Sequence, residues 1–218
     1  MQHDFWHQRW LQNQIGFHSP EINPYLQLHW QRLALKPNSR VFVPLCGKSN
    51  DMLWLRAQGY QVAGVELSPL AVDAFFADNA LRPNLRRQGE FFISEIDGLQ
   101  IYRGDFFALE AAALGRIDAV YDRAALVALP PEMRIDYAAR LASLLEPGAR
   151  ILLVAFDYPQ LEMSGPPFSV QEEEIRMLFG AWCAVDLLEN EEVLDRELHF
   201  RERGLSSLRE QVYLLTVR

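Results

Sequence analysis

Val41-Phe-Val-Pro-Leu-Cys-Gly-Lys-Ser-Asn-Asp51, with Val62-Ala-Gly-Val-Glu-Leu-Ser68 behind it, has the pattern of a strand, a loop, a helix and a second strand. The first apolar run stops at a Pro/Gly loop, an amphipathic segment follows, and the second run ends on an acid, Glu66. A carboxylate about 20 residues beyond such a loop is the pattern by which this kind of unit holds a ribose. Because a carboxylate has two acceptor oxygens, Glu66 suits two neighbouring hydroxyls. The segment therefore predicts a site for a ribose-containing ligand.

The number and spacing of glycines in this loop distinguish between kinds of nucleotide-binding site. A phosphate-binding P-loop needs a glycine where this chain has Phe42, five residues before Gly47. A dinucleotide fingerprint needs three glycines, and Gly47 stands alone in the loop. A ribose acid without phosphate glycines favours a nucleoside ligand that has no phosphates, of which S-adenosylmethionine is the common one. The same residues also fit an ordinary α/β crossover with an exposed Glu66.

Length, charge and cysteine usage narrow the class of protein. A chain of 218 residues, half of them apolar, predicts one globular domain over residues 1–218. The net charge of −8 argues against nucleic acid or an anionic membrane as the main partner. No signal-peptide pattern or long apolar run is found, so a cytoplasmic location is expected. Cys46 and Cys183 lie far apart, and no metal site is predicted from their spacing.

Strands alternate with helices along the chain, which predicts an α/β fold with helices on both faces of a sheet. Seven strands are expected, mostly parallel, with an antiparallel closing strand. Asp97-Gly98 is a hairpin turn signal, and Arg82, Arg86 and Arg87 are expected to lie in a solvated loop. The seven strands are predicted at residues 40–43, 61–66, 100–102, 117–121, 150–156, 184–189 and 211–218, with the first arm of the hairpin at 91–94. Helices are predicted at 2–15, 23–35, 50–58, 68–79, 130–145 and 170–179.

Ligands of an open parallel sheet bind beyond the carboxyl ends of its strands, where the strand order reverses. Asp105 there also fits a helix N-cap, and Asp122 also fits an ion pair with a neighbouring arginine. Arg123 places a charge against an otherwise apolar segment, and such a charge needs an anionic partner. The candidates at this edge are Leu45, Cys46 and Gly47 after the first strand, Glu66 after the second, Asp105 after the third, and Asp122 and Arg123 after the fourth.

Several longer motifs span almost the whole chain and resemble one family. The most specific are Pro44-Leu-Cys-Gly-Lys48 and Asp122-Arg-Ala-Ala-Leu-Val-Ala128. By these motifs the chain closely resembles the thiopurine S-methyltransferases, in the bacterial form linked to tellurite and selenium methylation. The other matching segments are Phe5-Trp6-His7-Gln8-Arg9-Trp10, Gly16-Phe17-His18, Gly64-Val65-Glu66, Gly165-Pro166-Pro167-Phe168 and Tyr213-Leu214-Leu215-Thr216.

The resemblance implies a class I S-adenosylmethionine-dependent methyltransferase fold, Rossmann-like with a seven-stranded sheet. It also implies a cofactor site made by Trp10, Leu45, Glu66 and Arg123. Glu66 would hold the ribose hydroxyls, and the Leu45 backbone and Arg123 would meet the methionine end. The aromatic face of the first helix is by itself more typical of core packing. The resemblance therefore assigns Trp10 to the cofactor and residues 1–38 to a helical cover over it.

The acceptor side of the site also follows from the resemblance. Phe17 and His18 resemble the segment that lies near the acceptor, and Arg123 would favour a thiolate as well as the cofactor. Arg201 falls in the register of an arginine that the animal enzymes place by the acceptor. Neither a metal nor a catalytic base is implied, since alignment of the reacting atoms is the main requirement.

The implied activity is methyl transfer from S-adenosylmethionine to the sulfur of thiopurines or other aromatic and heterocyclic thiols. Tellurium and selenium oxyanions are further acceptors, in a resistance or detoxification role. The implied partners are small molecules, and a monomer is expected. Three alternatives stay open: a related methyltransferase acting on halide or thiol anions, a non-catalytic nucleoside-binding module, and an NAD-dependent oxidoreductase.

Overall fold

In the computed structural model, which describes residues 3–16 and 18–218, the strands form one continuous sheet. The strands are β1 (Arg40–Val43), β2 (Gln61–Glu66), β3 (Asn84–Gln88), β4 (Phe91–Ile96), β5 (Leu99–Arg103), β6 (Ala119–Arg123), β7 (Arg150–Asp157), β8 (Cys183–Glu192) and β9 (Arg209–Val217). The helices are α1 (His3–Leu11), α2 (Pro24–His29), α3 (Asp51–Ala57), α4 (Pro69–Asp78), α5 (Ala111–Leu114), α6 (Pro131–Leu144), α7 (Glu172–Phe179) and α8 (Leu198–Glu202).

The sheet has the strand order β3-β4-β5-β2-β1-β6-β7-β9-β8. Strands β5, β2, β1, β6 and β7 are parallel, and β9 lies antiparallel between β7 and β8. From β1 the chain moves to one side for β2 and β5, then crosses to the other side for β6. The order therefore reverses between β1 and β6, and ligands of such sheets bind at the carboxyl ends of these strands. The predicted α/β sheet with an antiparallel closing strand is confirmed.

Helices cover both faces of the sheet. Apolar side chains of α6 and α7 pack with Phe42, Val120 and Tyr213 on one face. Side chains of α2, α3 and α4 pack on the other face, with Tyr121 and Val154. No helix among the described residues combines the length and the apolar composition needed to cross a membrane.

The hairpin at Asp97-Gly98 is confirmed, with β4 and β5 as its arms. The sequence did not predict β3, which pairs with β4, so the sheet has nine strands where seven were expected. Arg86 and Arg87 lie in β3, which pairs antiparallel with β4, so their placement in a loop was wrong. The sequence Asn-Leu-Arg-Arg-Gln has no apolar alternation because this edge strand is exposed on both faces. The strand is held instead by backbone pairing, by the Arg86–Glu95 ion pair at 3.0 Å, and by Arg87 over the Phe92 ring.

The strand before Arg123 also differs from the prediction. It was expected at residues 117–121 and is observed at Ala119–Arg123, so Asp122 and Arg123 lie inside β6. The strand begins later because Asp118 precedes it and binds the start of β1. The Asp118 carboxylate accepts a hydrogen bond from the Arg40 amide at 2.8 Å. Since successive strand residues point to opposite faces, Asp122 and Arg123 project from opposite sides of the sheet.

Candidate functional site

Glu66 is held rigidly at the carboxyl end of β2. The side chain is 6% exposed, its Oε2 accepts a hydrogen bond from the Gly47 amide at 2.9 Å, and its Oε1 accepts one from the Ser68 amide at 2.7 Å. Burial raises the pKa of this carboxyl, and the amide hydrogen bonds oppose that rise. Each carboxylate oxygen keeps a further lone pair, so Glu66 can accept from two more hydroxyls. The buried, anchored side chain does not match the alternative of an exposed acid at an ordinary crossover.

The loop after β1 adopts an unusual backbone conformation. Leu45 has a φ of +46°, in the left-handed region that costs a residue with a Cβ about 1–2 kcal/mol. The loop stays attached to β2, since the Cys46 amide donates to the Val65 carbonyl at 2.9 Å. Such strain, held in place by the surrounding structure, is concentrated at ligand sites. Leu45 therefore lies where the sequence placed it, at the reversal of strand order.

Cys46 fills a packing position next to that loop. Its Sγ would lie 2.7 Å from a Cβ built on Gly64, so the sulfur occupies the space that the glycine leaves. The side chain is buried, and burial raises the pKa of the thiol well above its usual value. Cys46 is thus a packing residue, because a raised pKa leaves little of the reactive thiolate.

Trp10 lies over the same loop from α1. A Cβ built on Gly47 would be 3.4 Å from Cζ2 of the Trp10 ring, and α1 packs against α4. Gly47 has a φ of +52°, so both its conformation and the ring above it favour glycine. The first helix therefore covers the loop between β1 and α3.

A buried acid that sequence reasoning missed anchors the segment after α1. Asp51, 2% exposed, accepts hydrogen bonds from the Asn23 amide at 2.9 Å and from the Tyr121 hydroxyl at 3.0 Å. Asn23 in turn caps α2 through its side-chain oxygen. Asp51 thus ties the N-terminal segment to β6, beside Arg123. An acid in the first turn of the helix after the loop was the available signal, since carboxylates favour helix N-termini.

Arg123 and His18 lie in one electrostatic environment. Burial lowers the pKa of His18, and the positive charges of Lys48 and Arg123 lower it further, against Asp78 and Asp51. His18 is therefore uncharged at neutral pH, and Arg123 and Lys48 supply the positive charge near it. Phe17, the other predicted acceptor residue, lies outside the described residues.

Two acids predicted at this edge have structural roles. Asp105 accepts from the Phe107 amide at 2.9 Å, which fits the helix N-cap interpretation. Asp122, 1% exposed, accepts from the Tyr137 hydroxyl at 2.6 Å and the Leu126 amide at 3.1 Å. These partners lie on the face of the sheet opposite to Arg123. The interpretation of Asp122 as an ion-pair partner of a neighbouring arginine is therefore not needed.

Asp122 gives the first testable prediction, a pH-dependent stability. Burial raises the pKa of this carboxyl from 3.8 to about 6, so its protonated form is favoured in the folded state. The stability that Asp122 contributes through this raised pKa is fully present below pH 3.8 and is lost as the pH rises through about 6. A pKa difference of one corresponds to about 1.4 kcal/mol, so the free energy of unfolding should fall by about 3 kcal/mol over this range. Chemical denaturation of the wild type and Asp122→Asn should therefore show the wild type losing more stability between pH 4 and pH 7. Parallel curves for the two proteins would contradict this prediction.

Arg201 lies on an exposed part of α8. Its side chain is 63% exposed and forms an ion pair at 3.6 Å with Asp195, itself fully exposed. These contacts give no geometric support for the expectation that Arg201 faces the acceptor. A place for Arg201 by the acceptor stays a prediction from the resemblance.

The Gly165-Pro166-Pro167-Phe168 motif fixes the loop after β7. A Cβ on Gly165 would lie 2.5 Å from the Phe168 ring, so no other residue fits. The Phe168 amide donates to the Val127 carbonyl at 2.7 Å, and the guanidinium of Arg134 lies over the Phe168 ring. The Tyr158 hydroxyl donates to the Pro167 carbonyl at 2.7 Å. The motif therefore holds the loop after β7 against α6 and the segment after β6.

A cavity of about 490 Å³ lies at the opposite edge of the sheet, lined in part by Arg116, Asp118 and Arg150. Arg150 donates to the Leu33 carbonyl at 2.9 Å, and Arg116 pairs with Asp118 at 3.3 Å. Its charged groups are used in contacts within the protein, at the amino ends of the strands. None of the residues that line it belongs to the candidate site, so its size does not indicate where ligands of this fold bind.

The chain is similar to known proteins over its whole length. The family model described as Thiopurine S-methyltransferase (TPMT) matches residues 1–218. A Thiopurine S-methyltransferase of Nitrosospira multiformis is 50% identical over 218 residues, which cover 100% of this chain and 99% of the relative. One of Pseudomonas aeruginosa strain UCBPP-PA14 is 52% identical over 215 residues, 99% of each chain.

Solved structures show the same fold at low identity. A SAM-dependent methyltransferase from Anabaena variabilis has a TM-score of 0.65 at 14% identity, covering 99% of this chain and 95% of that one. The 1,6-didemethyltoxoflavin-N1-methyltransferase of Burkholderia thailandensis has a TM-score of 0.63 at 18% identity, covering 99% and 86%.

Proposed function

The chain belongs to the thiopurine S-methyltransferase family and is an S-adenosylmethionine-dependent methyltransferase, and we propose that it methylates the sulfur of thiopurines and other aromatic or heterocyclic thiols. The observation that carries this proposal is the position of Arg123. It projects from β6 at the reversal of strand order, on the face that the N-terminal segment covers. A cation at that place favours an acceptor whose sulfur is negatively charged.

The residues present fit S-adenosylmethionine. Glu66 presents a buried carboxylate, oriented by two amides, that suits the two ribose hydroxyls. The loop at Leu45 would hold the methionine end through its backbone, together with Arg123. Trp10 would close the site from above, since its ring already covers Gly47. The loop also lacks the three glycines with which dinucleotide sites accommodate a pyrophosphate.

The protein's own residues align the reactants and exclude water. When bound, S-adenosylmethionine supplies a methyl group on a sulfonium, and the acceptor sulfur takes it by in-line displacement, leaving two thioethers. Arg123 lowers the pKa of a bound thiol and so raises the fraction of thiolate. Trp10 and the segment held by Asp51 keep solvent from the reacting atoms. Such alignment can lower a barrier by about 7–11 kcal/mol without a catalytic base.

We extend the proposal to tellurium and selenium oxyanions, in a resistance or detoxification role, because Arg123 provides a cation for a small anion. We also propose that the protein acts on small molecules as a monomer in the cytoplasm. The net charge of −8 supports partners other than nucleic acid and anionic membranes.

A panel of acceptors tests the proposed function. Purified protein with labelled S-adenosylmethionine should methylate 6-mercaptopurine and aromatic thiols, with slower transfer to tellurite and selenite. Transfer to halide or thiocyanate but not to any thiol would replace the proposal with the alternative of an anion methyltransferase. Binding of S-adenosylmethionine without transfer to any acceptor would leave a non-catalytic module.

A prediction for the covering helix follows from the position of Trp10. Trp10→Ala should weaken binding of S-adenosylmethionine about 3- to 10-fold, since an aromatic contact contributes about 0.5–1.5 kcal/mol. Isothermal titration calorimetry measures the change. Leu11→Ala is the matched control, because this neighbour on α1 is 63% exposed and should not alter affinity. Equal affinities for wild type and Trp10→Ala would remove Trp10 from the site.

A further inference from the structure

A carboxylate that sequence analysis did not identify lies on the same face of the sheet as Arg123. Glu210 lies at the start of β9, opposite Phe156 at the carboxyl end of β7. Val212, two residues later on β9, packs on the same face as Tyr121 and Val154. Because alternate strand residues share a face, Glu210 projects from the face that also carries Arg123.

Arg123 and Glu210 lie on strands that are two places apart in the sheet. Arg123 is paired in register with Val154 on β7, and Val154 with Val212 on β9. Neighbouring strands lie about 4.8 Å apart, so β6 and β9 are separated by about 10 Å. A long arginine side chain can reach across part of that gap.

Glu210 lies among charges of both signs. Burial and the charge of Glu197 raise the pKa of Glu210, whereas the charges of Arg123 and Arg196 and the neighbouring Tyr25 hydroxyl lower it. The net effect is a raised pKa, with burial as the largest cause. Glu210 is therefore a half-buried carboxyl group that is electrostatically coupled to the cation of the acceptor site.

The neighbouring ion pair does not use Glu210. Arg196 donates to both oxygens of Glu191, at 2.8 and 2.7 Å, and to the Tyr25 hydroxyl at 2.9 Å. Tyr25 donates its proton to Glu191 at 2.8 Å. This network fixes Tyr25 beside Glu210 and satisfies the charge of Arg196 with Glu191. Glu210 is therefore not an acceptor in the hydrogen bonds that join Arg196, Tyr25 and Glu191.

We propose that Glu210 determines acceptor specificity by accepting a hydrogen bond from a ring N–H of a heterocyclic thiol whose sulfur faces Arg123. The inference rests on the proposed function and names its substrate class. A heterocyclic thiol has a soft, readily ionised sulfur at one end and an N–H donor on the ring. The cation matches the sulfur and the carboxylate matches the N–H group, so each end of the ring meets a group of complementary polarity.

The test compares two acceptors that both ionise readily but differ in the N–H donor. These are 6-mercaptopurine, which has ring N–H groups, and 4-nitrothiophenol, which has none. Glu210→Met removes the hydrogen-bond acceptor and keeps the length of the side chain. We expect kcat/KM for 6-mercaptopurine to fall about tenfold, mainly through KM, with less than about a twofold change for 4-nitrothiophenol. Glu210→Gln keeps one acceptor oxygen and should restore part of the loss.

Controls separate this role from a structural one. Glu173→Met changes an exposed glutamate on α7 and should affect neither acceptor. Calorimetry should show unchanged cofactor affinity in the Glu210 variants. If Glu210→Met does not fold, Glu210→Gln carries the test, with a selective loss of about threefold for 6-mercaptopurine. Equal losses for both acceptors, or none, would overturn the inference alone. Failure of the wild type with both thiols would overturn the proposed function and the inference with it.

Discussion

Glu66→Gln is expected to weaken the binding of S-adenosylmethionine about 10- to 100-fold. The carboxylate would accept hydrogen bonds from the ribose hydroxyls, and hydrogen bonds to a charged group contribute about 1.5–3 kcal/mol. Glutamine keeps one acceptor oxygen but replaces the other with an NH2 group. This donor would face the amide of Gly47 or Ser68, which is itself a donor. Isothermal titration calorimetry with S-adenosylmethionine measures the effect.

Two further variants make this result interpretable. Glu90→Gln makes the same chemical change at an exposed glutamate and should leave the affinity unchanged. Glu66→Ala should also lower the free energy of unfolding, because the Gly47 and Ser68 amides lose their partner at about 1–3 kcal/mol each. Wild-type affinity in Glu66→Gln, with a folded protein, would remove Glu66 from the cofactor site.

The ends of β2 and the loop after β1 could be predicted because local sequence determines them. The β2 strand is an apolar run that ends on Glu66, and its observed bounds, Gln61–Glu66, match the prediction. β2 lies inside the sheet and is buried on both faces, so its sequence is a nearly continuous apolar run that is easily recognised. The position of Glu66 beside the β1 loop follows from the order of the elements alone.

Other features depend on contacts between distant residues and could not be predicted in the same way. The β3 strand forms because β4 pairs with it, not because of its own apolar pattern. Asp51 reaches Asn23 and Tyr121, which are 28 and 70 residues away in the chain. Glu210 reaches the face of Arg123 only because β9 is inserted antiparallel beside β7. Its polar side chain in a closing strand gave no signal of a role in the cleft.

Arg123→Ala is expected to lower kcat/KM for 6-mercaptopurine about 10- to 100-fold. The variant loses a charge interaction with the thiolate, which contributes about 1.5–3 kcal/mol. Loss of the cation also raises the pKa of the bound thiol, so less of it is ionised. For 2-mercaptoethanol, a thiol of high pKa that binds neutral, only cofactor positioning is lost. The decrease for this acceptor should be several-fold smaller.

Steady-state kinetics with both acceptors and a saturating cofactor measures this selectivity. Arg32→Ala removes one positive charge at an exposed position and is the matched control, with no expected change for either acceptor. Equal fractional losses for the two thiols in Arg123→Ala would mean that Arg123 serves the cofactor alone. The role in favouring the thiolate would then have to be abandoned.

The position of the transferred methyl group tests the central claim most directly. Purified protein is incubated with 6-mercaptopurine and S-adenosylmethionine that carries a ¹³C-labelled methyl, and the product is examined by NMR. Transfer to the thiolate beside Arg123 predicts a single labelled methyl on sulfur, formed at a rate that Glu66→Gln reduces. A labelled methyl on a ring nitrogen, or no transfer by a folded protein that binds S-adenosylmethionine, would contradict the account.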